Sequence, residues 1–220
     1  MNYVKIKNQT KSITIGNIFC LGRNYPEHAK EMNADIPDSP IVFLKPSSAV
    51  IHSGEPIVRP AFSHQLHHEV ELFVAIGIGG KNISPKESSR HILGYGVALD
   101  MTLRDIQSKS KKEGLPWTVS KGFDTSAPIS DVIPAREIPD PYNLEIRCLV
   151  NGAERQRSST GKMIFKLDRI IEYISSIFTL QEGDLIFTGT PEGVSTVNPG
   201  DIIQAELVGY ATISHTVQNS

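Results

Sequence analysis

His67-His68-Glu69-Val70-Glu71-Leu72-Phe73-Val74-Ala75-Ile76 is the stretch on which the fold turns. Side chains alternate across a strand, so Val70, Leu72, Val74 and Ile76 form an unbroken apolar face. Glu69, Glu71, Phe73 and Ala75 fall on the other. As a strand over residues 69–76, the segment sets two carboxylates on one side, roughly 7 Å apart. Its apolar content on both faces predicts that the acidic end is half exposed. Two acids there repel each other, so one neutralises or both take a cation. Two solvated glutamates at a strand end are the plainer alternative. His68 falls on the apolar face, which predicts a buried ring with a hydrogen-bond partner.

Further along, Gly94–Leu99 reads as a strand running into Asp100. Asp100 either caps the helix expected over 102–112 or adds a third carboxylate to the first two. An all-oxygen set selects Mg²⁺, Mn²⁺ or Ca²⁺ over zinc. Arg104 and Gln107 are three apart on that helix and share a face, which makes them candidate substrate contacts. Upstream, residues 26–33 read as a helix opened by Pro26. His28 and Glu31 are neighbours on it. A carboxylate beside a histidine fixes its tautomer and raises its basicity, which is how a water-activating base is made; an ordinary surface pair is the alternative. Lys121, after Leu115-Pro116-Trp117, either offers its ammonium to an anion or lies along the surface. Thr188-Gly189-Thr190-Pro191 is a tight turn with two hydroxyls.

The other elements are mostly strands. Asn143–Val150, the turn Asn151-Gly152 and the polar segment after it predict a hairpin. Leu167, Ile170, Ile171, Ile174, Ile177 and Phe178 keep helical spacing. Strands return at 184–188, 201–207 and 211–217. We read one β-rich α+β domain over residues 1–220. Strands and helices do not alternate regularly, which argues against a doubly wound or barrel plan.

Net charge is −2 and no basic block occurs, which excludes a phosphate-backbone footprint. No apolar run reaches the length needed to cross a bilayer. The N-terminal residues show neither a signal core nor an Arg-rich presequence, so a soluble, cytoplasmic protein without nucleic-acid or membrane partners is expected. Cys20 and Cys148 each sit in an apolar run and read as buried thiols. GxSxG, Walker and GxGxxG patterns are absent.

Taken together, these segments resemble the fumarylacetoacetate hydrolase family, most closely its short members, the acylpyruvate hydrolases and oxaloacetate decarboxylases. The resemblance rests on Gly22-Arg23-Asn24-Tyr25 with His28 and Glu31, and on Phe43-Leu44-Lys45-Pro46. It continues through His67–Leu72, Leu99–Gln107, Leu115-Pro116-Trp117, Lys121, Asn151-Gly152 and Thr188–Pro191. It implies a mixed β-sandwich roll, a homodimer, and Mg²⁺ or Mn²⁺ held by Glu69, Glu71 and Asp100. His28 and Glu31 match the water-activating dyad, and Lys121 and Gln107 the oxyanion and carboxylate contacts. Thr190 matches a carboxylate-binding hydroxyl, while Arg23 and Tyr25 are carried over as substrate contacts. The implied activity is C–C cleavage of an acylpyruvate (a 2,4-dioxo acid) through a pyruvate enolate. Oxaloacetate decarboxylation, or isomerisation of a related enol acid, is the alternative on the same site. Glu192 and Ser195 stand where close relatives often carry Lys and Gly, which removes a positive charge and weighs against a dicarboxylate preference.

Overall fold

The computed structural model describes residues 2–220. The first third of the chain holds β1 (Tyr3–Lys5), β2 (Ser12–Thr14), β3 (Ile18–Gly22), α1 (Pro26–Glu31), β4 (Ile41–Lys45), β5 (Val50–His52), β6 (Ile57–Arg59), β7 (Leu66–His68) and β8 (Val70–Ile76). Then come α2 (Ser88–His91), β9 (Ile92–Leu99), β10 (Thr102–Leu103), α3 (Arg104–Glu113), α4 (Thr118–Lys121), β11 (Ala127–Ile129) and β12 (Ile133–Pro134). The last third holds β13 (Glu145–Val150), β14 (Ala153–Ser159), α5 (Leu167–Ile177), β15 (Leu185–Phe187), β16 (Ser195–Val197), β17 (Ile202–Leu207) and β18 (Ala211–Asn219).

The main sheet has eight strands. Seven run in the order β4-β3-β15-β8-β9-β11-β5, and β12 also pairs with β9. It is mixed: β3 runs parallel to β15, whereas β8 is antiparallel to both β9 and β15. A five-stranded sheet, β14-β13-β17-β18-β6, and a small one, β10-β7-β16, complete the roll. Val70, Leu72, Val74 and Ile76 pack on one side against Ile146, Cys148, Ile203 and Ala205 of the five-stranded sheet and Ile170, Ile171 and Ile174 of α5. Phe73 and Ala75 pack on the other side with Cys20, Ala98 and Phe187. Each such aliphatic side chain contributes about 1.5–3 kcal/mol when fully buried, so β8 is held from both faces.

The Asn151-Gly152 turn has φ of +51° and +79°, the two positive angles that a type I′ hairpin turn needs. Along α5 the apolar stripe is buried through Ile174, but Ile177 is 50 % and Phe178 37 % exposed. Both cysteines are free and buried. Among the described residues, no helix is long and apolar enough to cross a membrane.

Two local expectations are corrected. The strand expected from 69 is interrupted there: β7 pairs with β10 and β16, β8 pairs with β9 and β15, and Glu69 sits where the chain passes from one sheet to the other. Asp100 does not cap a helix, because Thr102-Leu103 first pair with His67 and Leu66 and α3 begins at Arg104.

Candidate active site

Strand register explains why the three acids meet. Val70 faces Leu99 in the β8–β9 ladder, so Glu69 and Asp100 lie beside each other at its end, and the Asp100 N–H donates to Glu69 O at 2.8 Å. Glu71 is two residues along on the same face. On the other flank Phe187 faces Phe73, which brings the turn after β15 alongside Glu71. There the Gly189 N–H donates to Glu71 Oε2 at 2.7 Å. Gly189 has φ +93°, and a Cβ on it would stand 2.7 Å from Asn24 Cβ. No other residue fits that approach without strain.

Glu69, Glu71 and Asp100 are 4 %, 1 % and 1 % exposed. The half-exposed strand end expected from the sequence is therefore a buried acidic cluster, because the sheet flanks, α3 and α4 close over it. The three carboxylates offer oxygens within 4.8 Å of one another. Lys121 Nζ reaches Glu69 Oε2 at 2.7 Å and Asp100 Oδ2 at 2.5 Å, so it is not a surface lysine. Arg104 pairs with the other Glu69 oxygen and donates to Gln107 Oε1 at 2.5 Å.

The protonation balance is divided between the two glutamates. Burial disfavours the charge on Glu69, but Lys121 and Arg104 outweigh it and hold that carboxyl well below its usual range. Burial, with the charges of Asp100 and Glu69, pushes Glu71 well above it. Burial would also strip the proton from Lys121, yet Asp100 and Glu69 hold it above the ordinary lysine value.

Lys45, at the end of β4, was missed as a site residue. Its ammonium lies 2.8 Å from Asp100 Oδ1. Its hydrogen bonds go instead to the carbonyls of Met101, Lys121 and Ser126. Asp100 Oδ1 is thus met by the Lys45 charge alone. The signal was an apolar run ending in a lysine, but the carbonyls that accept its hydrogen bonds are at least 56 residues away in the chain.

Three buried carboxylates within reach of one another, an all-oxygen donor set and a glutamate pushed toward its neutral form together fit a hard divalent cation. Glu69, Glu71 and Asp100 are the residues that would hold it.

The acids form the floor of a small, narrow pocket. Arg23, His28, Arg104, Gln107, Lys121 and Thr190 also line it, as do Met32, Phe43, Lys111 and Trp117. Sequence reasoning assigned no role to Lys111. His28 Nδ1 lies 3.1 Å from Glu31 Oε2, and Glu31 Oε1 accepts from the Gly193 N–H at 3.0 Å. Glu31 thus stands behind the histidine, away from the lining. Tyr25 is also behind the wall, 1 % exposed, with an unpartnered hydroxyl that burial and the Glu71 and Glu192 charges hold above the usual phenol value. Thr190 Oγ1 donates to Val70 O and accepts from Gln156 Nε2, both at 2.8 Å. Its one proton is directed at the backbone, so toward the pocket it acts as an acceptor.

Behind the acids lies a second polar cluster, whose membership the sequence did not show. His68 shares Nδ1 with Gln156 Oε1 at 2.9 Å and Nε2 with Ser195 Oγ at 2.8 Å. Gln156 Oε1 also accepts from the Val70 N–H at 3.0 Å. Burial lowers the His68 pKa and outweighs the Gln156 hydrogen bond and the Glu69 charge.

Residues 17–218 match the family model of the fumarylacetoacetate (FAA) hydrolase C-terminal domain. The chain belongs to the fumarylacetoacetate hydrolase family. It is 46 % identical over 202 residues to the Bos taurus oxaloacetate tautomerase FAHD1, a mitochondrial protein, covering 92 % of this chain and 91 % of the relative. It is 49 % identical over 196 residues to the mitochondrial oxaloacetate decarboxylase of Dictyostelium discoideum, with 89 % and 90 % covered. The crystal structure of fumarylpyruvate hydrolase from Pseudomonas aeruginosa in complex with Mn²⁺ and pyruvate superposes with a TM-score of 0.95 at 36 % identity, covering 99 % and 96 %. The family fold and the acidic trio expected from the sequence are thus both present in this member.

Proposed function

We propose that this family member acts on oxaloacetate, interconverting its enol and keto tautomers and releasing CO₂ from the keto form, whose C3–C4 bond breaks to leave a pyruvate enolate. The observation that carries it is the buried trio Glu69, Glu71 and Asp100 facing the His28–Glu31 pair across one small pocket. Relatives of nearly half identity, named for oxaloacetate tautomerisation and decarboxylation, support the choice of substrate.

Glu69, Glu71 and Asp100 would hold a Mg²⁺ or Mn²⁺ ion, which would supply Lewis acidity to a 2-oxo acid. The remaining work falls to side chains. Lys121, kept protonated by Asp100 and Glu69, donates to the oxygen on which enolate charge develops. His28, oriented by Glu31, removes or returns the proton at C3. Arg104 and Gln107, already bonded to each other, orient the 1-carboxylate, with Arg23 and Thr190 on the wall. Tyr25 supports this wall from behind.

Hydrolysis of acylpyruvates is the second reading, favoured by the close superposition on a fumarylpyruvate hydrolase. There His28 would take the proton of a water attacking the distal carbonyl, and the C3–C4 bond would break to give a carboxylic acid and the pyruvate enol. A panel of oxaloacetate and 2,4-dioxo acids, run with Mg²⁺, Mn²⁺ and chelator, tests both. Glu31→Gln should cut any base-dependent step at least ~100-fold and leave cation binding intact; full activity would remove the dyad from the mechanism. Decarboxylation needs no attacking water and should survive His28→Ala better than hydrolysis.

A homodimer is part of the proposal: edge strand β4 and the exposed Leu44 and Leu115 offer apolar area for a second copy, and sedimentation checks it. A cytoplasmic location is the last part, checked by cell fractionation against the mitochondrial names of the relatives.

A further inference from the structure

Helix α3 turns one face to the pocket. Arg104, Gln107 and Lys111 follow the i, i+3, i+7 spacing of a single stripe, and all three line the cavity. Arg104 is at the floor, paired with Glu69. Lys111, about 10 Å further along the helix axis at 1.5 Å per residue, stands at the rim.

Charges at the floor are matched: Lys121 and Arg104 bind Glu69, and Lys121 binds Asp100. Charges at the rim are not. Among the described residues, neither Lys111 nor Arg23 takes part in an ion pair with an acid. Lys111 is instead held over the Trp117 ring, 5.3 Å from its centroid, which fixes the ammonium against the pocket wall. Burial, with Arg104 and Arg23 nearby, pulls its pKa down to about 8. Like charges have therefore been gathered at the rim without a protein counter-ion. Arg23 holds φ +59°, a left-handed conformation uncommon for a residue other than glycine, Asn or Asp. Such strain tends to be kept where a side chain has to be aimed.

We propose that Lys111, assisted by Arg23, binds the distal carboxylate of a dicarboxylic 2-oxo acid, and so makes the enzyme prefer diacids over monoacids with the same 2-oxo head. The proposal rests on the reading of the floor as a 2-oxo acid site. It assigns the missing positive charge, which the sequence placed at Glu192, to a different element: Glu192 is outside the lining, and Lys111 reaches the cavity from α3.

Two variants test it. Lys111→Met keeps the alkyl stem on Trp117 and removes the charge; Lys111→Arg keeps the charge. Turnover is measured on oxaloacetate and fumarylpyruvate as diacids and on acetylpyruvate as the monoacid. In parallel, binding of malate and of lactate to the Mn²⁺-loaded protein is followed by calorimetry, which needs no turnover. The expected result is a rise of about ten-fold or more in KM for the diacids and in Kd for malate in Lys111→Met. Acetylpyruvate and lactate should change less than two-fold, and Lys111→Arg should restore the diacid values. Equal effects on diacid and monoacid, or none on either, would overturn the subsite while leaving the 2-oxo acid reading in place. Absence of turnover on every substrate, with malate still bound through Lys111, would overturn that reading and leave the subsite standing. A protein that binds neither malate nor lactate would contradict both.

Discussion

Two buried polar clusters lie back to back at the end of β8, and they are built on opposite plans. In the His68–Gln156–Ser195–Thr190 cluster every partner is neutral and the bonds close on one another and on the Val70 backbone. In the Glu69–Glu71–Asp100 cluster the groups are acids, one is pushed toward neutrality, and the others are held by the cations Lys45, Lys121 and Arg104. Buried polar groups that serve folding are satisfied within the chain. Several acids buried side by side are costly to the fold even when paired and mark a place where a ligand completes the set. The two lysines that approach Asp100 repeat the contrast. Lys45 is locked to three carbonyls, while Lys121 holds only carboxylates and is free to exchange them for a developing anion.

The largest expected effect separates the two clusters directly. Glu71→Gln should lower turnover by about a thousand-fold, since it removes a cation ligand worth several kcal/mol to the transition state. In chelator, its melting temperature should match or exceed that of the parent, because one of three crowded acids has gone. A large loss of stability in chelator would mean that Glu71 serves the fold, and the contrast would fail.

Gln156→Leu should do the reverse. It strands His68 Nδ1, the Val70 N–H and one acceptor position of Thr190, at about 1–3 kcal/mol for each buried group left unpaired. Urea titration should show that loss, with Mn²⁺ affinity within a few-fold of the parent.

Divalent cation should stabilise the parent protein by about 2.7 kcal/mol at a hundred times its dissociation constant, and Glu71→Gln by much less. A melt with and without Mn²⁺ reads this.

The smallest effect is in pH, where the clusters have opposite signs. His68 has a folded pKa below its unfolded value, and His67 is brought down to about 4, chiefly by burial. Their contribution is complete above the unfolded histidine value of about 6.5 and is lost as pH falls toward the folded values. Glu71, raised when no cation is bound, contributes most below the ordinary carboxyl range, and that share is lost as pH rises through its folded value. Cation-free melts between pH 7 and 4 should therefore show a steeper acid decline in Glu71→Gln than in the parent, and a flatter one in His68→Gln.

The parts of the molecule legible in the sequence were those set by local pattern. Alternation along Val70–Ile76, the Asn151-Gly152 turn and the spacing of Leu167 to Ile174 each depend on neighbouring residues, and each is found. The resemblance added the acidic trio and its surroundings. What stayed hidden depends on pairing across the chain. The break at Glu69 and the two-residue strand before α3 exist because His67 pairs with Thr102. Burial of Lys45 depends on carbonyls far along the chain, and Gln156 gave no sign that it would meet His68, 88 residues away. Nor does the i, i+3, i+7 stripe of α3 show from sequence alone which face meets the cavity.

The most direct measurement is calorimetric titration of Mn²⁺, in the presence of pyruvate, into protein stripped with chelator. The account predicts one ion per chain, with affinity lowered at least ~100-fold in Asp100→Asn and in Glu71→Gln. Binding unaffected by the loss of either acid, or no binding to the parent protein, would contradict it.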